Sequence, residues 1–258
     1  GGAKVILVEK NAFCGGMATA GMVAPFMTCY DSGGDKMLIR GIFEELVERL
    51  IAVGGAIHPS KVESKTAFTS YIDKGHVHVT PFKAESLKIV ADEMLAEAGV
   101  KILYHTQLVD AETEGDRVTR IIVAMKEGLA SIRAKAFIDC TGDGDLAAMA
   151  GAEYTVGNKE GKMQPATMFF TVGDVDVSKV DADIAENWGN FYRKDGVNYR
   201  SLHWRVSEAR ENGDWPLDRV SIGLFRGVEE DEFSINTSRV MHIDGTKSES
   251  LTEGEIAG

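Results

Sequence analysis

The chain has 258 residues, of which 44% are hydrophobic and 26% charged, and its formal net charge is −12. This length and composition allow one large or two modest globular domains with a real core. The negative charge argues against non-specific nucleic-acid binding, which needs a basic surface, and no apolar run is long enough to span a membrane. Three cysteines without paired spacing predict reduced thiols in a cytoplasmic protein, and the lack of metal-ligand spacing predicts no metal.

The first part of the chain predicts a strand followed by two amphipathic helices. Lys4–Val8 is a continuous apolar run, typical of a buried parallel strand, and it ends at the carboxylate of Glu9. Apolar residues at helical spacing predict helices over Gly41–Ala52 and Phe82–Ala98. Between these helices, Thr66–Thr80 alternates weakly and predicts an antiparallel strand pair.

A second group of strands follows Gly99, which is expected to end the preceding helix. The succession of helix, glycine and strand is typical of a wound α/β sheet. The predicted elements are a strand at Val100–His105, a hairpin of Arg117–Met125 with Ala130–Arg133, a buried strand at Ala134–Cys140 and a helix at Leu146–Ala150.

The periodicity weakens from Gly157 onward. This region contains the three tryptophans, which are expected in its core. It also predicts a helix that begins near Tyr199 and ends after Glu211, a strand at Ser234–Ile243, and a helix at Leu251–Ala257 with Thr252 as its N-cap.

Two features at opposite ends of this α/β pattern indicate a dinucleotide site. An acidic residue at the end of a strand, here Glu9, can hold a ribose hydroxyl in nucleotide-binding α/β proteins. A glycine-rich turn at the C-terminal edge of a strand, here Thr141–Asp145, lets the backbone approach a cofactor. The adjacent glycines Gly15 and Gly16 suggest a second close approach.

A calcium loop is the main competing interpretation of the Thr141–Asp145 turn. The spacing of Asp139, Asp143 and Asp145 does not match a calcium-binding loop, and no bidentate glutamate follows at the required position. Asp143 is instead expected to cap the helix that follows.

Three segments resemble the FAD-dependent oxidoreductases that carry a glutathione-reductase-like flavin domain: Gly2–Met17, Ala136–Ala152 and Ser234–Val240. The resemblance implies an α/β fold in which 1–21 and 82–156 form a Rossmann-like, three-layer FAD/NAD(P)-binding domain. The ranges 22–81 and 157–258 would form a mixed α+β substrate or cap region.

The same resemblance implies roles for individual residues. Glu9 would hold the adenosine ribose, and the backbone of Leu108 would reach the adenine. The backbone of the glycine doublet would lie close to the pyrophosphate and the ribityl chain. Thr141 to Asp143 would flank the pyrophosphate. The implied cofactor-binding residues are Glu9, Lys10, Gly15, Gly16, Met17, Leu108, Thr141, Gly142 and Asp143.

The family's first strand with its Gly-x-Gly-x-x-Gly phosphate loop is not found in this sequence, nor is a later segment that contacts the flavin ring. The chain is therefore expected to be truncated at both ends. We therefore expect this chain alone to retain FAD weakly or not at all and to be inactive.

The predicted function is hydride transfer between a small organic substrate and the flavin. Disulfide chemistry is not expected, because the positions after the glycine doublet hold Ala18 and Val23, and Cys140 is expected to be an inert core thiol. The alternatives are a non-catalytic nucleotide-binding or regulatory domain and an NAD-dependent Rossmann dehydrogenase. Substrate and oligomeric state stay open. The catalytic candidates are Arg239, His78 and Arg40, followed by His76, His203 and His242.

Overall fold

The computed structural model describes residues 2–258 and divides the chain into two compact units. Unit 1 contains the residues up to Gly16 together with Ala91–Val156. Unit 2 contains Met17–Val90 and Gly157–Gly258. The functional assignment made from the sequence, with 1–21 and 82–156 as the cofactor domain and 22–81 and 157–258 as the substrate region, stays a prediction.

The described residues form ten strands and six α-helices. The strands are β1 Ile6–Val8, β2 Lys101–Leu103, β3 Gln107–Glu114, β4 Arg117–Met125, β5 Gly128–Arg133, β6 Phe169–Val172, β7 Tyr192–Lys194, β8 Val197–Arg200, β9 Gly223–Arg226 and β10 Phe233–Asn236. The helices are α1 Ile42–Ala52, α2 Ala84–Glu97, α3 Asp145–Met149, α4 Val177–Glu186, α5 His203–Glu211 and α6 Ser248–Ala257. Within residues 2–258, no helix is both long enough and apolar enough to cross a bilayer.

The parallel pair of unit 1 consists of β1 and β2, with Val8 opposite Leu103. Helix α2 ends at Glu97 and is followed by Gly99, whose φ of 69° is in the left-handed region that glycine adopts without a steric penalty. The amide of Val100 then bonds to the carbonyl of Leu95 at 3.0 Å, so the chain turns directly into β2. This αβ step and the α/β class are as the sequence predicts.

The antiparallel sheet of unit 1 has the order β3-β4-β5. The hairpin of β4 and β5 was predicted, with β5 extended back to Gly128. Strand β3 was missed because its polar residues break the alternation; two register irregularities interrupt its pairing with β4. The central strand β4 buries Ile121 and Val123, which form a core with Leu146 of α3.

The strand prediction is wrong in two segments. In Ala134–Cys140 no strand forms, and the side chain of Ile138 is 85% exposed. An apolar sequence forms a strand only where a neighbour pairs with its backbone, and no strand of the described chain pairs with this segment. In Thr66–Thr80 a short 3₁₀ helix and the left-handed residues Ser70 and His78, at φ 54° and 56°, replace the predicted strand pair.

Unit 2 is built around the antiparallel sheet β6-β10-β9. Its core includes Phe233 and Ile235 of β10, and Trp188 and Trp204 pack against it, as expected for tryptophans of this region. Helix α5 begins at His203, because the residues near Tyr199 belong to the β7-β8 hairpin. The predicted strand at Ser234–Ile243 is shorter, since β10 ends at Asn236.

The predicted cap of the final helix is also wrong. Helix α6 begins at Ser248 and not near Leu251, so Thr252 lies inside it. The hydroxyl of Thr252 donates to the carbonyl of Ser248 at 2.8 Å, a bond to the preceding turn that is typical of threonine inside a helix.

Candidate functional site: a strand-end carboxylate and glycine turns

Glu9 lies directly after β1, at the carboxyl end of the parallel pair, where open α/β sheets bind their ligands. Its amide donates to the carbonyl of Leu103 at 2.9 Å, and its carbonyl accepts from the amide of Thr106 at 3.0 Å. Its Oε1 accepts from the backbone and side-chain nitrogens of Asn11, at 2.8 and 2.9 Å. Both the backbone and one carboxylate oxygen of Glu9 are therefore held in place.

The glycine doublet follows this strand end. Gly15 and Gly16 have φ angles of 113° and 50°, in the region that favours glycine. A Cβ at Gly16 would meet no atom within 4 Å, so this turn borders open space. The neighbouring positions Lys10 and Met17 expose their side chains to solvent.

The Thr141–Asp145 turn is organised by Asp139. Oδ1 of Asp139 accepts from the amide and the hydroxyl of Thr141, at 2.9 and 2.7 Å, and Oδ2 accepts from the amide of Ala147 at 2.9 Å. Asp139 thus satisfies an amide in the first turn of α3, the role that was predicted for Asp143. That prediction is wrong, because Gly144 occupies the N-cap position and makes no side-chain cap.

The two glycines of this turn also face open space. Gly142 and Gly144 have φ angles of 89° and 77°, and a Cβ at either position would meet nothing within 4 Å. Backbone amides beside glycines can approach an anion that a side chain would keep away. Both glycine turns of unit 1 therefore leave the space beside the backbone that a bound dinucleotide requires.

One apolar core connects the predicted cofactor-binding segments of unit 1. Val8, which precedes Glu9, packs against the core of Ile121, Val123 and Leu146. Leu108 of β3 packs against the same core. Since Leu146 follows the Thr141–Asp145 turn directly, this core holds the strand end, Leu108 and the start of α3 on one scaffold.

A polar cluster beside the glycine doublet was missed by the sequence analysis. The hydroxyl of Tyr104 donates to the carboxylate of Asp92 and lies 3.5 Å from Sγ of Cys14, which precedes Gly15. Burial, followed by the hydrogen bond to Asp92, raises the pKa of Tyr104, so the hydroxyl stays protonated. Burial also raises the pKa of Cys14. Residues so far apart in sequence carry no local signal of this contact.

The catalytic candidates lie in unit 2, and four of them make structural contacts. Arg40 is exposed and forms an ion pair of 2.8 Å with Glu44. Nδ1 of His78 donates to the carbonyl of Pro59 at 2.9 Å, and its ring packs on Tyr30 at 4.2 Å. His76 and His203 likewise bond to backbone carbonyls, and His242 has a φ of 66°.

Arg239 follows β10 and is partly buried. Burial lowers the pKa of the nearby Arg219, and the positive charges of Arg200 and Arg239 lower it further. The guanidinium of Arg219 therefore lies within the positive field of Arg200 and Arg239, a surrounding that suits an anionic group.

A parallel pair with a carboxylate at its end, joined to open glycine turns, defines an α/β protein of the nucleotide-cofactor class. The sequence matches, over residues 1–258, the model of the family described as FAD dependent oxidoreductase, and the chain belongs to this family. FAD is accordingly the cofactor of this flavoprotein, as the sequence predicts. No curated protein sequence matches it.

Several solved structures are similar to this chain. A flavoprotein/dehydrogenase from Cytophaga hutchinsonii is 19% identical over 68% of this chain and 42% of its own, with a TM-score of 0.40. The p-nitrophenol 4-monooxygenase from Pseudomonas putida is 12% identical over 99% of this chain and 54% of its own, with a TM-score of 0.46. Glycine oxidase from Bacillus cereus is 13% identical over 99% of this chain and 72% of its own, with a TM-score of 0.39. The chain spans about half the length of the first two.

Proposed function

We propose that the protein catalyses hydride transfer between a carbon of a small organic substrate and FAD, and that unit 1 binds the adenosine and pyrophosphate parts of the cofactor. When bound, the flavin supplies the hydride chemistry at N5. The observation that carries the proposal is the shared core of Val8, Leu108 and Leu146, which holds three predicted cofactor contacts on one scaffold.

Glu9 would hold the ribose. Both donors of Asn11 end on Oε1, which fixes the plane of the carboxylate. Oε2 would then accept a hydrogen bond from a ribose hydroxyl. A charged acceptor of this kind contributes about 1.5–3 kcal/mol to a hydrogen bond.

The glycine turns would receive the pyrophosphate. Open space beside Gly16, Gly142 and Gly144 permits close approach of phosphate oxygens to backbone amides. The bonds from Asp139 would keep the second turn in one conformation before the cofactor arrives. The backbone of Leu108 would contribute the adenine contact.

On the substrate side, we assign Arg239 as an orienting group. The charges of Arg239 and Arg200 both act on Arg219, so an anionic group of the substrate bound there would relieve the repulsion at Arg219. Arg40 and His78 are less suited to this role, since Glu44 and Pro59 already engage them.

The test uses the protein expressed from its complete natural gene. We expect a yellow protein whose flavin absorption bleaches anaerobically with a reductant. Glu9→Gln should weaken FAD binding about tenfold, a loss of about 1.4 kcal/mol, while Glu127→Gln in the exposed β4-β5 turn should not.

Other outcomes separate the alternatives. A colourless protein that takes up no FAD would contradict the proposal. Bound FAD that no reductant bleaches would indicate a non-catalytic nucleotide-binding domain, and substrate-dependent reduction of NAD without flavin would indicate a dehydrogenase.

A further inference from the structure

We propose that a cavity of about 460 Å³ in unit 2 binds a small organic carboxylate, with the guanidinium of Arg226 as its anchor. The volume is that of a small-molecule site. This inference goes beyond the proposed flavin chemistry, since none of the cavity's groups takes part in it. The residues that the argument uses are Lys61, Lys65, Phe68, Tyr71, Asp181 and Arg226.

Arg226, the last residue of β9, contributes its guanidinium to the cavity lining. Its Nε is buried and has no hydrogen-bond partner, and its side chain forms no ion pair within residues 2–258. Its guanidinium lies 5.2 Å from the centre of the Phe68 ring, a contact that favours a cation but satisfies none of its donors. A partly buried guanidinium in this state is suited to a carboxylate, which can accept two parallel hydrogen bonds from it.

One of the two acidic residues of the cavity, Asp181, accepts a hydrogen bond from a neighbouring tyrosine. Oδ1 of Asp181 on α4 accepts from the hydroxyl of Tyr71 at 2.6 Å. Burial, followed by the bond to Asp181, raises the pKa of Tyr71, so its hydroxyl remains a donor over the ordinary pH range. Asp181 therefore orients Tyr71 and forms no ion pair with Arg226, while its negative charge still opposes an anion in the cavity.

The rest of the lining favours an anion. Lys61 and Lys65 add two cations to Arg226, against the carboxylates of Glu63 and Asp181. Lys65 lies 3.6 Å from Asp73, a distance that leaves it only loosely paired. The excess of positive charge in the lining would attract a small anion to the cavity.

The wall of the cavity is also held in a costly conformation. Lys65, Ser70 and Tyr71 have φ angles of 63°, 54° and 58°, which residues with side chains rarely adopt. The hydroxyl of Ser70 lies 3.1 Å from that of Ser201 and accepts from the amide of Leu224 at 3.2 Å. Strained backbone that surrounding contacts keep in place is typical of ligand sites, and here it positions Tyr71.

The test is a titration of the full chain with benzoate and with uncharged benzamide, followed by ligand-observed NMR at constant ionic strength. We expect benzoate to bind with a dissociation constant of about 1 mM and benzamide not to bind. Arg226→Met should weaken benzoate binding about tenfold or more. Arg193→Met, which removes an exposed arginine of the β7-β8 hairpin, should leave it unchanged.

A second variant distinguishes loss of the Arg226 contact from misfolding of the Arg226→Met protein. Asp181→Asn keeps an acceptor for the Tyr71 hydroxyl but removes a negative charge, so benzoate should bind about threefold to tenfold more tightly. A damaged fold cannot produce this gain. The proposal is overturned if benzoate does not bind, if benzamide binds equally well, or if Asp181→Asn leaves the affinity unchanged.

Discussion

Asp139 accepts two hydrogen bonds from Thr141, one from its amide at 2.9 Å and one from its hydroxyl at 2.7 Å. The hydroxyl of Thr141 in turn accepts from the amide of Asp145 at 2.9 Å, and the second oxygen of Asp139 accepts from the amide of Ala147. A single carboxylate thus fixes both the glycine turn and the first turn of α3, which connects the geometry of the proposed pyrophosphate turn to the stability of unit 1.

Replacing this carboxylate should destabilise the protein. We expect Asp139→Ala to lower the free energy of unfolding by about 1–2 kcal/mol, because the amides of Thr141 and Ala147 lose their acceptor. Urea denaturation measures the change. Asp116→Ala, in the exposed turn between β3 and β4, is the control and should change stability by less than about 0.5 kcal/mol. Equal losses in both variants would contradict the role of Asp139.

The contribution of Asp139 should depend on pH. Burial alone would raise the pKa of Asp139, but the hydrogen bonds from Thr141 and Ala147 outweigh it and hold the pKa below its usual range. Its stabilisation is therefore complete above the unfolded-state pKa of about 3.9 and is lost as the pH falls through the lower folded-state pKa. The difference in unfolding free energy between the wild type and Asp139→Asn should be constant from neutral pH to about pH 5 and shrink below that. A difference that grows on acidification would show the opposite shift.

Local patterns were sufficient for the amphipathic helices and for the β4-β5 hairpin, because helical spacing and a short turn are set within a few residues. They were insufficient where pairing depends on distant residues. Ala134–Cys140 has the composition of a buried strand, yet no strand of the described chain pairs with it. Strand β3 lacks the alternation of a strand but is held by β4.

The same distinction applies to the sites. Glu9 and the glycine turns belong to contiguous segments, so the sequence alone proposes them as cofactor contacts, and these roles stay a prediction. The cavity at Arg226 could not, because Tyr71 and Asp181, 110 residues apart, meet there only after folding. The cluster of Cys14 and Tyr104, separated by 90 residues, was missed for the same reason.

Tyr104→Phe should have two effects. Loss of the hydroxyl leaves Asp92 without a donor, which should lower the unfolding free energy by about 1 kcal/mol. It should also slow alkylation of Cys14 at a given pH, because the Tyr104 hydrogen bond counteracts the burial that raises the pKa of this thiol. Mass spectrometry of timed alkylation gives the rate at Cys14. Tyr154→Phe, at a side chain that is 69% exposed, is the control; a Cys14 rate as slow in this variant would contradict the assignment.

The exposed thiol of Cys140 should react first with a thiol reagent such as DTNB. Cys14 and Cys29 are buried, and burial raises the pKa of both, so they should react slowly in the folded protein. We expect one fast equivalent, which Cys140→Ser abolishes. This corrects the expectation of an inert core thiol at this position. A fast phase that survives Cys140→Ser would show that Cys14 or Cys29 is the accessible thiol and would contradict this assignment.

Gly55 should be among the glycines least tolerant of substitution. A Cβ at Gly55 would lie 2.4 Å from Cβ of Ser86 and 3.2 Å from the carbonyl oxygen of Leu50, so the start of α2 would have to move. We expect Gly55→Ala to cost about 1–3 kcal/mol of stability through overpacking. Gly173 is the matched control: it has no positive φ, and a Cβ there would meet nothing within 4 Å. Gly173→Ala should therefore be neutral or slightly stabilising, since alanine restricts the unfolded chain. Thermal denaturation of the two variants compares them directly, and a Gly55→Ala protein as stable as the wild type would show that α2 can shift away from the 50–55 segment at little cost.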